Sequence, residues 1–580
     1  MTGTVRWTLI ALIAAHLALT VAFSIYNPLG EAPDEADHWA YVYYVQQERR
    51  LPTTPRMTQG KHPPLYHGTA AAVASLADPS NDFLRHNPDV EIQPAADWAP
   101  NFFIHTTREG WPWWGGVQAM HLARLWSAAI STAVLLAALG LVRCAFPGRT
   151  DLLLLSAGIL AFLPEFAFVG AAVSNDGAAA LFGTLALWGA LAIYRQEGRW
   201  LAGWWTPLAL GAGLLAKVST VALWPVVGLA IVLGAARPGQ APWLARVARA
   251  WPRWLATGLA VFLPALAIAS PWLIRNGLLY GDPLGMALVR QTVDLRSGPW
   301  TWVETAWLLR GWFVSFWGRF GGAGHVPFPD WVYWLLLALT GISAAGLVRR
   351  WLDPAARPER GPTVLLALAA LATAFGVWRY SLVALGTDQG RLLYPALVPL
   401  VTLWALGLLA WAPPEKNRVP GILLTAGMAG LALLALFGVI GRAFAPPPPL
   451  PDREIAHARA PAPVDFGELA LLGWTLAAEP VLYWQAVAPP SQDWRTTLRV
   501  TREDGAVAWE WKRSPGKGRW STDHWPEGTV VRDAYTVRWP DWAGPGRYLV
   551  EVALQPYAAA PVSPAGYEEP FVILGWLTKP

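Results

Sequence analysis

Apolar runs of about 20 residues, the length of a membrane-crossing helix, recur along residues 1–444 and stop there. They fall at roughly 7–27, 119–142, 152–173, 176–194, 201–216, 218–236, 255–274, 331–348, 362–382, 392–412 and 419–442. A hydrocarbon layer of about 30 Å needs such runs, at about 1.5 Å of rise per residue. The pattern predicts about eleven transmembrane helices, of which the pair 201–236 is the least regular because Lys217 divides it. Two shorter amphipathic stretches, 37–48 and 64–77, lie between the first two runs. The second is too short to cross and reads as a helix lying in the membrane interface. After a proline-rich stretch at 445–451 the period changes. Alternating segments at 469–476, 481–487, 496–501, 507–511, 534–539 and 548–554 are separated by turn signals such as Asp504-Gly505 and Pro545-Gly546. The expected architecture is therefore mostly α, a polytopic membrane protein with a C-terminal β-sandwich of about eight strands. The expected boundaries are a membrane part at 1–444, a linker at 445–463 and the β-domain at 464–580.

Charge sets the expected orientation. Charged residues are 14% of the chain, against about 25% in an average soluble protein. The net charge of +5 comes with arginines concentrated in alternate short loops, so topology explains it without nucleic acid. Those loops hold Arg143 and Arg149, Arg195 and Arg199, Arg237 to Arg253, Arg349 to Arg360, and Lys416 with Arg418. The positive-inside rule then puts the N-terminus in the cytoplasm. The long stretches 28–118, 275–330 and 443–580 are expected on the outer side of a plasma membrane. Segment 7–26 follows a lone Arg6, lacks a small-residue cleavage site and reads as a retained first helix. Cys144 is the only cysteine, which excludes a disulfide within the chain and a cysteine metal cage.

The candidate chemistry lies near the outer ends of the expected spans. Pro33-Asp34-Glu35-Ala36-Asp37-His38 follows the first span. Proline suits a first helical turn, and acids there meet the positive end of the dipole. A helix starting at this point puts Asp34, Asp37, His38 and Tyr41 on one face, and turns Glu35 about 100° away. An ionised Asp34 could accept a proton, and the cluster Asp34, Glu35, His38 could also take a divalent cation. The competing reading is a helix start with a solvated acidic end. Cationic candidates sit at the same depth. Arg275-Asn276 ends one span, and Gln389-Gly390-Arg391-Leu392-Leu393-Tyr394-Pro395 opens another, with Arg319 a weaker candidate. A guanidinium fork fits phosphate oxygens, although arginines at helix ends also snorkel to lipid headgroups. Lys217 and Asp176 are functional candidates because a charge facing lipid is costly, though each could mark a simple turn. Lys61 and His62 precede Pro63-Pro64 and could meet an anionic substrate. No phosphate-cradling glycine motif or zinc-protease His-Glu pair occurs.

These pieces, in this order, resemble the C-type (GT-C) superfamily of membrane glycosyltransferases over residues 1 to about 445. Similar are glycosyltransferase family 39, the protein O-mannosyltransferase and lipid A aminoarabinose transferase types, and related predicted membrane proteins. The resemblance rests on Asp34-Glu35 with His38, His62-Pro63-Pro64-Leu65-Tyr66, Arg124-Leu125-Trp126-Ser127, Asn175-Asp176, Ala216-Lys217, Trp272-Leu273-Ile274-Arg275-Asn276 and Gln389 to Pro395. It implies inverting transfer of a sugar from a polyprenyl-phosphate carrier to an extracytoplasmic acceptor (lipid, glycan or protein). Asp34, with Glu35 beside it, would be the catalytic carboxylate. Arg275, Arg391 and Lys217 would neutralise the carrier phosphate. Asp37, His38, Lys61, His62, Asp176, Asn276, Arg319 and Tyr394 complete the expected substrate-binding set. A divalent cation is the only cofactor considered, and none is required by the residues. The chain departs from the aminoarabinose type, which has Lys-Pro-Pro where His62-Pro63-Pro64 stands.

Two other classes fit parts of the pattern. A transporter or flippase of lipid-linked saccharide would use the arginines to guide phosphate, but no internal repeat is evident. A non-catalytic scaffold could bind glycan through Trp484, Trp494 and Trp520, which read equally as core residues.

Overall fold

A computed structural model describes residues 3–579 apart from 54–56, 79, 81–82, 95–97, 238–240, 414–415, 452, 455–458 and 478, with the side chains of 459–462 also left aside. Among the described residues, nine helices are long and apolar enough to cross a membrane, and the pair Thr150–Phe162 and Pro164–Gly170, bent by 56°, is a tenth. The protein is thus a multi-pass membrane protein. The bend falls at Pro164, which lacks the N–H that would continue the ladder.

The eleventh expected span, 201–216, is α-helical only in part. Only Thr206–Ala216 is α-helical there, about 16 Å at 1.5 Å per residue. A short 3₁₀ turn, Trp200–Gly203, precedes it. This segment nevertheless runs antiparallel beside the helix Asp176–Arg195. Trp205 donates to Leu185 O at its start, and Asn175 donates to Ala216 O at its end. Lys217 is thereby returned to the level of Asp176.

The basic loops gather at one end of the bundle. Arg149 pairs with Glu359 at 3.4 Å, Arg350 pairs with Glu359 at 2.7 Å, and Asn417 donates to Asp151 at 3.0 Å. At the other end, the stretch 28–114 folds over the helix tips. Its helices Glu35–Glu48 and Leu65–Ala74 pack on each other and on Gly115–Ala145. Leu65–Ala74, ten residues long, falls short of a span. The stretch 275–330 is not merely a loop, since it carries the helix Trp302–Trp317, capped by the Thr301–Glu304 box.

Among the described residues, the C-terminal part holds eight strands in two four-stranded antiparallel sheets. One orders Val530–Ala534, Val481–Ala486, Leu469–Thr475 and Arg459–Asp465. The other orders Val572–Lys579, Gly546–Pro556, Trp494–Arg502 and Val507–Arg513. Leu471, Leu482 and Trp484 of the first share one apolar cluster with Leu498, Val500 and Val552 of the second. Trp484 and Trp494 are buried in that cluster and Trp520 packs against it, so none of the three is an open sugar platform. The segment expected at 534–539 is shifted, with the strand ending at Ala534. Arg459–Asp465 begins inside the stretch read as linker.

The sheets dock on the stretch 85–107. Arg85 pairs with Asp493 at 3.0 Å, Trp511 donates to Asp89 at 2.9 Å, and Lys517 pairs with Glu91 at 2.6 Å. Asn101 donates to Gly518 O at 2.8 Å, and Thr107 donates to Asp523 at 2.8 Å. The same stretch reaches the turn before Asp34 through Glu31, which accepts from Phe103 N at 2.9 Å and from His105 Nε2 at 3.1 Å.

Candidate active site

Asp34 is the residue before the helix Glu35–Glu48, in the left-handed region at φ 60°, ψ 7°. Aspartate tolerates that region better than most side chains. The turn splits the two neighbouring acids. Glu35 heads into the bundle with Trp39 and Val42, which are fully buried. Asp34 stays open, with its side chain 45% exposed.

Asp34 Oδ2 accepts from Arg391 Nη2 at 2.5 Å. Arg391 Nη1 donates to Asp176 Oδ2 at 2.8 Å, and its Nε donates to Gln389 at 2.7 Å. The other oxygen of Asp176 takes Lys217 Nζ. A four-member chain results: Asp34, Arg391, Asp176, Lys217. Its first member is accessible, while the Arg391 and Asp176 side chains are 4% and 1% exposed. Two negative and two positive groups balance, as burial requires.

Local structure explains each position. Asp176 opens a helix, where the dipole favours an acid, and Ser174 Oγ also donates to it at 3.1 Å. Lys217 sits extended, φ −157° and ψ 128°, at the break between two helices. Lys217 is buried there, and its ammonium reaches inward to Asp176. Arg391 follows Gly390, whose missing Cβ lets the helix Trp302–Trp317 approach; a Cβ would collide with the Phe316 backbone. Ser315 accepts from Gly390 N at 2.6 Å and Trp312 donates to Thr387 O at 2.9 Å, which aims the turn.

Burial alone would raise the Asp34 carboxyl. The charge of Arg391, with help from His38 and the Arg391 hydrogen bond, outweighs it and holds the group below the usual carboxylate range. Asp37 is raised by its surroundings and by the charge of Asp34, against Lys61. Lys61 is lowered by burial, against Asp34 and Asp37, and its Nζ donates to Thr58 O at 3.0 Å. Burial drives His38 down to about 3, against the pull of Asp34 and Asp176. His67 lies well below its ordinary value for the same first reason. Both rings are therefore neutral near pH 7. His67 Nδ1 faces Pro63 O at 3.4 Å and must donate, so its Nε2 accepts from His38 Nδ1 at 2.9 Å. The His62 ring lies 5.7 Å from that of His38, tilted by 32°.

Several expected residues are placed elsewhere. Glu35, expected beside the catalytic carboxylate, pairs with Arg124 and does not join the chain of four. It takes Arg124 Nη2 at 2.6 Å and Nε at 2.7 Å, and accepts from Gly30 N at 3.1 Å and Val173 N at 2.9 Å. It has no exposed surface. Arg275 donates to Pro52 O at 2.8 Å and lies over Trp272, so it ties down the segment around Pro52 rather than joining the chain of four. Asn276 is buried and donates to Pro283 O at 3.3 Å. Arg319 gives its backbone N–H to Glu165 at 2.9 Å and its side chain approaches Asp388 at 3.7 Å. Tyr394 is buried against Phe166. The metal site considered at Asp34, Glu35 and His38 is not assembled, because Arg391 and Arg124 draw the two carboxylates apart. Among the described residues no group of three or more His, Cys, Asp or Glu is arranged to hold a metal.

Two residues carried no site role in the sequence pattern, although Arg124 stands in the motif Arg124-Leu125-Trp126-Ser127. Arg124 lies inside the apolar helix Gly115–Ala145, and a charge at such a place was itself the signal. His67 comes one helical turn after Pro63, and only its contact with His38 marks it.

No family model matches the chain, and no curated protein matches it. Solved structures do match. ArnT from Cupriavidus metallidurans bound to undecaprenyl phosphate is 15% identical, with a TM-score of 0.44 over 76% of this chain and 73% of that one. The Archaeoglobus fulgidus oligosaccharyltransferase in the apo form is 14% identical, with a TM-score of 0.40 over 75% and 55%. The S. cerevisiae protein O-mannosyltransferase Pmt1-Pmt2 complex bound to the sugar donor is 15% identical, with a TM-score of 0.30 over 48% and 34%. All are membrane glycosyltransferases of the C type that the motifs resemble.

Proposed function

We propose that the protein is an inverting glycosyltransferase that moves a sugar from a polyprenyl-phosphate carrier to a hydroxyl on the extracytoplasmic side. The observation that carries this reading is the pairing of an exposed Asp34 with a buried Arg391, itself joined to Asp176 and Lys217. Inverting transfer needs a proton acceptor on one face of the sugar and cations on the leaving group at the other. Asp34 supplies the first. Arg391 and Lys217, with Lys61 nearby, supply the second. The acceptor oxygen bonds to the anomeric carbon as the bond from that carbon to the phosphate oxygen breaks. The acceptor proton passes to Asp34, and the electron pair leaves with the phosphate. With its carboxyl held low, Asp34 is a weak base, suited to a late proton transfer once the hydroxyl oxygen has begun to bond.

The charge pattern supports the orientation. The arginine loops occupy the end opposite Asp34, which the positive-inside rule places in the cytoplasm. The site and the β-sheets then face outward, at the level of a plasma-membrane surface.

The test is incubation of the purified full-length protein with a panel of polyprenyl-phosphate sugars and simple hydroxyl acceptors, read by mass spectrometry. Glycosylated product and free carrier phosphate are expected. Absence of product with every donor, together with movement of the intact donor across reconstituted vesicles, would replace transfer by transport.

A further inference from the structure

The turn that carries Asp34 is held from outside the helix bundle. Asp34 lies in the left-handed region at φ 60°, which a residue other than glycine keeps only where its surroundings fix the backbone. On one side of the turn, Gly30 donates its N–H to Glu35 at 3.1 Å. On the other, the Phe103 ring lies so close to Gly30, at φ 85°, that a Cβ there would come within 2.8 Å of it. Glu31 has no exposed surface, and its Oε1 accepts from Phe103 N at 2.9 Å and from His105 Nε2 at 3.1 Å. Its Oε2 has no hydrogen-bond partner among the described residues. The two bonds to Phe103 and His105 therefore offset the burial of this carboxylate.

The segment that holds Glu31 is fixed in turn by the β-domain. His105 Nδ1 pairs with Glu109 at 3.0 Å, at the end of the short turn Thr107–Glu109. Thr107 opens that turn and gives both its N–H, at 3.0 Å, and its hydroxyl, at 2.8 Å, to Asp523 of the β-domain. Asn101 donates to Phe103 O at 2.7 Å and to Gly518 O of the β-domain at 2.8 Å. Contacts thus run from Asp523 through Thr107, Glu109, His105 and Glu31 to the turn of Asp34.

We propose that Glu31 is a positioning residue for Asp34, and that the β-domain, through Asp523, keeps it in place. This rests on the reading of Asp34 as the proton acceptor. A misplacement of about 1 Å at a reacting group costs up to about 10²-fold in rate. Donor binding would fall to Arg391 and Lys217, which Asp176 holds independently of the turn. Loss of the β-domain's grip therefore acts on kcat and leaves the donor KM alone.

The experiment uses the full-length protein in nanodiscs and reads backbone hydrogen exchange over 28–38 beside kcat and donor KM. Asp523→Ala and Glu31→Leu are expected to speed that exchange by about tenfold. Both should lower kcat by about 10–10²-fold at unchanged donor KM. The span 331–348 should stay protected as in wild type, which separates a loosened turn from lost folding. Asp523→Asn keeps an oxygen acceptor for Thr107 and should recover most of both effects. Arg502→Gln, on an exposed turn where Arg502 pairs with Asp504, should match wild type. Unchanged exchange in Asp523→Ala would overturn the proposal. So would faster exchange at full kcat, or a raised donor KM at full kcat. If wild type transfers no sugar, the transfer reading fails, while faster exchange in Asp523→Ala still upholds the hold of the β-domain on the turn.

Discussion

Asp34 and Glu35 are neighbours in sequence with opposite fates. Glu35 sits in a closed cage of Arg124 and two backbone N–H groups, with every contact internal. Asp34 is held by one arm of one arginine and keeps nearly half of its side chain open. Both are acid–arginine pairs at similar distances. The difference teaches that a short ion pair alone does not mark a reactive site. What marks it is a carboxylate with unused acceptor capacity facing solvent, whose cationic partner is tied elsewhere. Arg391 is such a partner, because Asp176 takes its Nη1 and Gln389 its Nε. On the proposed reading, the carrier phosphate would compete with Asp34 for it.

The comparison breaks or sharpens under substitution. Asp34→Asn should lower the single-turnover transfer rate by about 10²–10⁴-fold, the usual span for a lost general base. Carrier affinity should hold, and melting temperature should fall by less than in a Glu35 variant, because Asp176 still pairs with Arg391 and the Asp34 side chain is partly exposed. Glu35→Ala should instead destabilise by about 3–5 kcal/mol, because it strands the Arg124 charge. Thermal melting in detergent reads this, and Glu35→Leu/Arg124→Met should recover much of the loss. A Glu35 variant that folds normally yet fails in turnover would erase the distinction between the two acids. Lys217→Met removes a buried charge-assisted bond worth about 1.5–3 kcal/mol. It should raise the KM for the polyprenyl-phosphate donor by more than Arg275→Ala does, since Arg275 stands on Pro52 and Trp272 outside the chain of four. The reverse order would move the phosphate subsite toward Arg275.

The smallest effect concerns the support of Asp34 rather than its chemistry. Burial alone would lower the His105 imidazole, but Glu109 first and then Glu31 hold it up to about 10. A group raised in the folded state stabilises fully below its unfolded value of about 6.5 and loses that contribution as pH rises toward about 10. Melting temperature should therefore fall across this window, and fall less in His105→Gln. Equal slopes would remove His105 from the anchoring of the Glu31 turn.

Much of the bundle was legible because lipid enforces a local rule. A segment that crosses must satisfy its own backbone and stay apolar for its whole length, so runs such as 331–348 and 419–442 locate helices without knowledge of their neighbours. The strands at 469–476 and 548–554 showed for a similar reason, through alternation against one apolar face. The half-length helix Thr206–Ala216 escaped because apolar composition does not report where helical hydrogen bonding begins. The helix Trp302–Trp317 escaped because its buried face, Leu308 and Trp312, meets Val377 and Leu393 from distant segments.

By itself the sequence determined the membrane class, the positions of most spans, the charge asymmetry of the two ends and the candidate acids and cations. Only the tertiary structure decided which candidates meet. Asp34 and Arg391 are 357 residues apart and share one hydrogen bond, while Arg124 claims Glu35 across 89. Hydropathy is additive along a chain, so it can be summed from residues alone. Ion pairing depends on distance and desolvation, which exist only once the helices have packed.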